Sequence, residues 1–244
     1  QKYYINFLRD MGVIDATDED QTRWARGVRP RPLLQVWSSH KYMLNKTGQD
    51  FNFPLFRKIQ TVGDVDIYRN DFFLDFGFTY DQVTPKSAIA SMDYLKKDIT
   101  ILRSAIIDDE DSDLLSQFPA FPINSIPGNY TPDLVVNDIN ARRSALFQMT
   151  DFSEKAFAGT IQTDQRKLLC FTTPYDKGWS AKIDGQSAPI RKINIGFMGL
   201  VIEPGQHTIE MRYTPQYYWL SVLISILSLG LWGFLFWRSK NTTE

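Results

Sequence analysis

The stretch Tyr217–Trp237, with the sequence YYWLSVLISILSLGLWGFLFW, decides the fold class because it contains no charged residue. A helix rises about 1.5 Å per residue, so about 20 apolar positions cross a hydrocarbon core of roughly 30 Å. Aromatic rings stand at both ends of the stretch, where bilayer interfaces favour them. The alternative is a buried core helix, but only Ser221, Ser225 and Ser228 offer a polar face to one. The stretch therefore predicts a transmembrane helix over residues 216–238, with the serines as a packing stripe.

The charges around this span predict its orientation. Arg238 and Lys240 follow it, whereas Arg212 alone lies just before it. Because cations concentrate on the cytoplasmic side, we expect residues 239–244 to be cytoplasmic and all residues before the span to be extracytoplasmic. A translocated domain needs an N-terminal signal or span, yet neither a methionine nor a signal peptide precedes Gln1. We therefore expect this chain to be the C-terminal piece of a longer membrane protein.

Composition narrows the classes of function. The net charge of −1 over 244 residues argues against a nucleic-acid partner. A single cysteine, Cys170, excludes an internal disulfide, and its apolar neighbours predict a buried thiol.

Residues 1–107 predict a mixed α/β part of an α+β protein. The apolar spacing indicates helices at 2–12, 32–39 and 87–97, and strand-like runs at 41–46, 56–62, 65–68 and 76–81. Residues 63–64 and 184–185 read as two-residue hairpin turns.

A cluster of arginines near the N-terminus is a candidate binding site. Arg23, Arg26, Arg29 and Arg31 surround Trp24 and together could grip a phosphate or a lipid headgroup. The alternative is a loop whose arginines pair with the acidic residues at positions 15–20.

Residues 108–132 predict a linker between two domains. They begin with an acidic run at 108–113, which we expect to be solvated, with metal binding as the less favoured alternative. The segment FPAFPINSIPGNYTP follows and is rich in turn-forming residues.

Residues 133–215 predict an antiparallel β-sandwich, because short strands alternate with turns at regular spacing. The predicted strands are 134–139, 144–150, 157–163, 167–172, 179–183, 188–193, 199–202 and 208–213. The last strand ends just before the span, so the sandwich must sit close to the membrane surface.

Few residues in the sequence match a known catalytic or metal-binding pattern. The two histidines accompany no Gly-x-Ser-x-Gly motif, and no Cys/His cluster or Gly-rich phosphate loop is present. The sequence thus predicts no catalytic residue, metal or cofactor within this chain. Tyr175 and Trp179 are candidates for a platform that stacks on a sugar, and the alternative is that Trp179 belongs to the core.

Several motifs in order resemble the YfhO family of bacterial membrane proteins. The C-terminal part carries Pro-Tyr-Asp-Lys-Gly-Trp at 174–179, Asp-Gly at 184–185, Phe-Met-Gly at 197–199, Pro-Gly-Gln-His at 204–207 and Tyr-Thr-Pro at 213–215. Upstream, the Lys-Tyr pair at 41–42, Val-Asp-Ile-Tyr-Arg-Asn at 65–70 and Gly-Phe-Thr-Tyr-Asp at 77–81 also resemble family stretches.

This resemblance implies a function. It implies a multi-span glycosyltransferase of the GT-C type, which takes sugars from polyprenyl-phosphate carriers outside the cytoplasm. The implied acceptors are cell-envelope polymers, and the implied location is the bacterial cell membrane, with the soluble part extracytoplasmic. The catalytic acid of such enzymes lies on an early outer loop that this chain does not contain. The chain would then be an accessory module, and the second hypothesis is a membrane-anchored module that binds envelope glycan without catalysis.

Overall fold

A computed structural model describes residues 2–15, 27–28, 31–51, 55–128 and 130–241. Its helices are α1 (Lys2–Asp10), α2 (Pro32–Trp37), α3 (Lys86–Ile89), α4 (Tyr94–Arg103), α5 (Ser112–Gln117), α6 (Pro132–Arg143) and α7 (Tyr218–Asn241), with a 3-10 turn at Ile123–Ser125. Helices and several sheets confirm the predicted α+β class.

The strands of the described residues form three sheets. They are β1 (Tyr42–Lys46), β2 (Phe56–Val62), β3 (Val65–Asn70), β4 (Gly77–Tyr80), β5 (Val83–Pro85), β6 (Ala105–Ile107), β7 (Gln148–Ser153), β8 (Ala156–Thr163), β9 (Lys167–Pro174), β10 (Trp179–Ile183), β11 (Gln186–Ala188), β12 (Arg191–Ile193), β13 (Phe197–Ile202) and β14 (Gly205–Tyr213).

A six-stranded sheet forms the middle layer, in the order β4–β9–β13–β12–β6–β5. Its pairs are antiparallel except β5 with β6. Leu168 and Cys170 of β9 point to one face and join an apolar cluster with α1, α2, α4 and α6. Leu169 and Phe171 point to the other face. Both faces are therefore buried, which explains why this strand reads as a continuous apolar run.

A five-stranded antiparallel sheet, in the order β11–β10–β14–β8–β7, covers that second face. Phe157, Ile209 and Met211 point inward and share an apolar cluster with the residues from β9 and β13. Alternate residues of β14 face outward and are exposed. The alternation of buried and exposed residues is that of a sheet with one face in the core.

The strands β1, β3 and β2 form a separate small sheet in that order. One of its faces carries Met43 and Asp66, which are buried. Tyr42 and Leu44, on the opposite face, are 53 % and 63 % exposed. The two-residue turn at 63–64 between β2 and β3 confirms the predicted hairpin.

The predicted strand at 134–139 is wrong, because α6 occupies this segment. Val135 and Val136 suggested a strand, but the helix ends decide otherwise. Thr131 has extended backbone angles and Pro132 stands at the first helical position, where its missing N–H is not needed. Asp133 in the first turn and two arginines in the last turn also complement the helix dipole.

Two further boundaries differ from the prediction. The helix expected at 87–97 is split into α3 and α4, because Asp93 accepts a hydrogen bond from the backbone N–H of Lys96 and starts a new helix. The strand expected at 188–193 is also split. Pro189 and Ile190 lie between β11 and β12, which belong to different sheets.

Residues 108–132 are not only solvated loop. Asp111 caps α5 by accepting a hydrogen bond from the Leu114 N–H, and Arg191 of β12 pairs with Asp111 and Asp113. Strands on both sides of this segment join the six-stranded sheet, since β4, β5 and β6 share it with β9, β12 and β13. The expected division of the chain into domains at this segment stays a prediction.

The C-terminal helix α7 satisfies the length and composition of a membrane span. Residues Tyr218–Arg238 form the candidate span that the described residues contain, and none of its most hydropathic window is buried against the rest of the chain. A core helix would be covered by its neighbours, so the core alternative does not apply. Ser221, Ser225 and Ser228 each donate a hydrogen bond to the carbonyl four residues earlier. Their hydroxyls are therefore satisfied within the helix, as a lipid environment requires.

Candidate functional site

An aromatic cleft of about 360 Å³ lies at the end of the sheets from which the membrane helix departs. It is lined by Lys2, Tyr3, Glu154, Thr173, Pro174, Tyr175, Asp176, Trp179 and Tyr213. Tyr213 is the last residue of β14, and α7 begins at Tyr218. We call this feature the aromatic cleft. It brings together the two aromatic residues that the sequence singled out.

The turn between β9 and β10 shapes the aromatic cleft. The Asp176 carboxylate accepts a hydrogen bond of 2.7 Å from the Gly178 N–H, and the Asp176 carbonyl accepts one of 3.2 Å from the Trp179 N–H. The Gly178 carbonyl in turn accepts from the Thr214 N–H at 2.9 Å. The turn is thereby fixed to the segment that leads into the membrane helix.

Trp179 belongs both to the core and to the aromatic cleft. Its ring centroid lies 5.5 Å from that of Phe157, which is buried in the core between the two large sheets, and 5.3 Å from that of Tyr213. The side chain is nevertheless only half-buried. The side chain therefore has contacts with the core and also a surface in the cleft. Its place at the start of β10 puts it at this end of the sheet.

Tyr175 forms the other wall of the aromatic cleft together with Tyr3 of α1. The two rings meet edge to face at 5.3 Å. The Tyr175 N–H donates to the Gly196 carbonyl at 2.8 Å, and a Cβ on Gly196 would lie 2.4 Å from the Tyr3 carbonyl oxygen. Sequence reasoning missed Tyr3 and Tyr213. Both residues lie far from Tyr175 and Trp179 in the chain, so no local sequence pattern links them to the cleft. Only the packing of α1 and β14 brings them there.

The charges of the aromatic cleft are mixed. Asp176 and Glu154 supply carboxylates, and Lys2 supplies an ammonium group. Partial burial, followed by the charge of Asp176 and a hydrogen bond to it, raises the pKa of Tyr213 above its usual value. The phenol therefore stays protonated at neutral pH and donates. Aromatic faces combined with hydrogen-bonding groups of both kinds suit a polyhydroxylated ligand such as a saccharide.

The arginine cluster is described only in part. Arg23, Arg26 and Arg29 lie outside the described residues. Arg31 is buried and pairs with Asp98 through two hydrogen bonds of 2.8 and 2.5 Å. This partner belongs to α4, and residues 16–20 of the acidic loop that sequence reasoning suggested lie outside the described residues.

The two histidines have structural partners. His207 Nδ1 donates a 2.7 Å hydrogen bond to the carboxylate of Asp184, and the other ring nitrogen of His207 lies 3.1 Å from the Glu203 carbonyl oxygen. Asp184 and Gly185 have φ of 51° and 79°, which confirms the predicted hairpin turn with two positive φ angles. His40 lies 2.8 Å from the Ser38 hydroxyl, which itself donates to the Leu34 carbonyl at the end of α2. These contacts stabilise turns and helix ends.

A buried polar cluster under the six-stranded sheet is structural as well. The Trp37 ring N–H donates to the Tyr80 hydroxyl, which donates to the Ile101 carbonyl, both at 2.6 Å. Asn194 contacts the same hydroxyl and Cys170 Sγ, each at 3.4 Å. Burial raises the pKa of the Cys170 thiol to about 12, so it stays protonated and unreactive. The predicted buried thiol is confirmed.

Within the part of the chain that the structure describes, no group of three or more His, Cys, Asp or Glu side chains could hold a metal ion.

Comparison with known proteins finds a family that is similar to the C-terminal part of the chain. The family model described as "Bacterial membrane protein YfhO" matches residues 129–225. This segment includes the five-stranded sheet, the turn at 174–179 and the first residues of the membrane helix. This part of the chain is similar to the YfhO family. The matched family and the exposed apolar helix agree on a bacterial membrane protein.

A curated relative is similar to the chain over a shorter segment. The uncharacterized protein YfhO of Bacillus subtilis (strain 168) is 40 % identical over 84 residues, which are 34 % of this chain. The matched segment spans 10 % of the length of that relative. No solved structure matches the chain.

Proposed function

We propose that this chain is the extracytoplasmic C-terminal module of a multi-span YfhO-family protein, and that it binds the saccharide part of a lipid-linked sugar or an envelope glycan. The observation that carries the proposal is the aromatic cleft beside the start of the membrane helix. Sugars present apolar faces that stack on aromatic rings, and their hydroxyls bond to carboxylates, phenols and ammonium groups.

The position of the aromatic cleft suits a ligand that is attached to a membrane lipid. The Thr214 N–H still bonds to the Gly178 carbonyl, so three residues separate the sheet end from Tyr218. Three residues span at most about 10 Å. The sugar on a polyprenyl-phosphate carrier also lies just outside the bilayer, because its lipid chain remains in the hydrocarbon core.

The resemblance supplies the reaction class. We infer that the whole protein is a glycosyltransferase of the GT-C type that uses a polyprenyl-phosphate sugar and modifies a cell-envelope polymer. In this proposal the module positions donor or acceptor near a catalytic loop outside this chain. Arg23, Arg26 and Arg29 are the proposed contacts for the carrier phosphate, since guanidinium groups bind phosphate in bidentate fashion.

Binding of a sugar by the reconstituted chain tests the proposal. The full chain in nanodiscs is titrated with a polyprenyl-phosphate-linked sugar and with soluble envelope-glycan fragments. Replacing Trp179 with Ala removes one wall of the aromatic cleft and should weaken binding about tenfold, equivalent to about 1.4 kcal/mol. Tyr42→Ala is the matched control, because Tyr42 is 53 % exposed on the small sheet. Equal affinity of the two variants would overturn the proposed site.

A transfer assay with the whole protein separates the two function classes. Loss of sugar transfer in the Trp179→Ala protein, at unchanged abundance, would support a role in the transferase. A different pair of results would support the non-catalytic glycan-binding module: the unsubstituted protein transfers no sugar, and the Trp179→Ala protein loses sugar binding.

A further inference from the structure

Two turns project from the sheets at the end where the membrane helix departs. The first, at residues 154–155, joins β7 to β8, and the Lys155 carbonyl accepts a 2.7 Å hydrogen bond from the Tyr213 N–H. The second is the turn of residues 176–178, whose Gly178 carbonyl binds the Thr214 N–H. Both turns are thus fixed by hydrogen bonds to the last residues before the span.

The side chains on these turns are suited to a lipid headgroup layer. Lys155 and Lys177 are exposed and form no ion pair that the described residues show, whereas the neighbouring carboxylates of Glu154 and Asp176 line the aromatic cleft. Phe152 precedes the first turn and is 68 % exposed, although its strand partner Phe157 is buried. An exposed aromatic ring beside flexible cations is typical of surfaces that contact bilayer interfaces.

The length of the connection brings the turns within reach of that layer. Three residues separate Thr214 from the start of α7, and they span at most about 10 Å. The headgroup region of one leaflet is roughly 5–8 Å deep, half the difference between the full bilayer and its hydrocarbon core. None of the most hydropathic window of α7 is buried against the described part of the chain, so the helix is free to enter a bilayer.

We propose that these two turns form a second membrane contact, in which Lys155 and Lys177 bind anionic lipid phosphates and Phe152 inserts into the interface. The connection to α7 alone would allow the soluble part to tilt and rotate about it. Contacts on both sides of that connection restrict the motion and hold the aromatic cleft at a fixed height. The contact is independent of the proposed function, since it needs no sugar and no enzyme activity.

The test measures how closely the first turn approaches lipid. The full chain is labelled with the fluorophore NBD at Glu154→Cys, an exposed turn residue, and is reconstituted into phosphatidylglycerol vesicles that contain a headgroup nitroxide lipid. The native Cys170 is fully buried and takes no label in the folded chain. The control probe is Gln206→Cys, which lies at the far end of β14, seven residues from Tyr213 and thus about 23 Å further from the membrane.

The expected result is a blue-shifted emission and several-fold stronger quenching for the probe at 154 than for the probe at 206. Quenching at 154 should fall when Lys155 and Lys177 are both changed to Glu. It should also fall in a separate variant in which Phe152 is changed to Ser. These side chains are exposed, and an unchanged melting temperature of each variant verifies that it remains folded. Neutral phosphatidylcholine vesicles should remove the effect of the lysines and keep that of Phe152.

Three results would overturn the proposal. Equal spectra of the two probes would place the turn away from lipid. Strong quenching that none of these substitutions changes would show that the short connection alone brings the turn close. A blue shift without nitroxide quenching, which grows with protein density in the vesicle, would assign the surface to a second copy of the chain.

Discussion

Gly178 is placed where a side chain has no room. A Cβ at this position would lie 2.5 Å from the Thr214 carbonyl oxygen and 2.6 Å from the Tyr213 ring. The close approach lets the turn at 176–178 bind the segment that enters the membrane. Gly178→Ala should therefore force the backbone apart and lower the free energy of unfolding by about 1–3 kcal/mol, measured by thermal or denaturant unfolding of the full chain.

Gly128→Ala is the control for this substitution. A Cβ on Gly128 would meet no atom within 4 Å, and its backbone does not need a positive φ. This variant should unfold within about 0.5 kcal/mol of the unsubstituted chain. If both variants were equally stable, the tight contact at Gly178 would not exist in solution.

Gly185 is constrained by its backbone angle instead of by its neighbours. Its φ is 79°, and a Cβ at this position would meet no atom within 4 Å. A β-branched side chain resists this region, so Gly185→Val should cost on the order of 1–3 kcal/mol. The readout is the midpoint of unfolding, and Gly128→Val serves as the control. A midpoint that does not move would argue against the turn with two positive φ angles.

The Arg31–Asp98 pair shows what holds the helical layer together. Asp98 lies on α4, and Arg31 comes just before α2 and also donates to the Met11 and Tyr94 carbonyls at 3.2 and 3.0 Å. Both side chains are almost completely buried. Asp98→Ala leaves a buried guanidinium without its charge partner and should destabilise the chain by about 3–5 kcal/mol.

An exposed pair supplies the comparison for this prediction. Arg166 and Glu203 approach to 2.8 Å, with side chains that are 47 % and 55 % exposed. Arg166→Ala should change the free energy of unfolding by less than about 1 kcal/mol, because solvent screens an exposed pair. A cost at Asp98 no larger than that at Arg166 would show that water reaches the buried pair.

For the whole molecule the orientation in the membrane is the decisive prediction. Arg238 and Lys240 after the span favour a cytoplasmic C-terminus. In intact cells, an impermeant thiol reagent should label Lys177→Cys and should leave Thr242→Cys unlabelled. Cys170 is buried in the folded chain, so the unsubstituted protein provides the background. Labelling of Thr242→Cys together with protection of Lys177→Cys would reverse the orientation and, with it, the proposed access to an extracytoplasmic glycan.

The sequence correctly predicted the elements that depend mainly on residues close together in the chain. The turns at 63–64 and 184–185 follow from residues that tolerate positive φ, and α7 follows from its length and lack of charge. The strand expected at 134–139 is wrong, because the regular spacing of strands and turns took no account of Pro132 and the charges at the helix ends. In the structure these end effects and the packing of Ile139 against the helical layer decide for a helix.

The sequence by itself determined the membrane helix, the α+β class and the position of Tyr175 and Trp179 in a turn motif ahead of the span, since each depends on neighbouring residues or on composition. Only the tertiary structure decided that strands on both sides of residues 108–132 share one sheet, and that Tyr3 and Tyr213 complete the aromatic cleft. The physical reason is that strand order and long-range side-chain contacts depend on which apolar faces bury one another. That choice is made among all segments of the chain together, and no single segment encodes it.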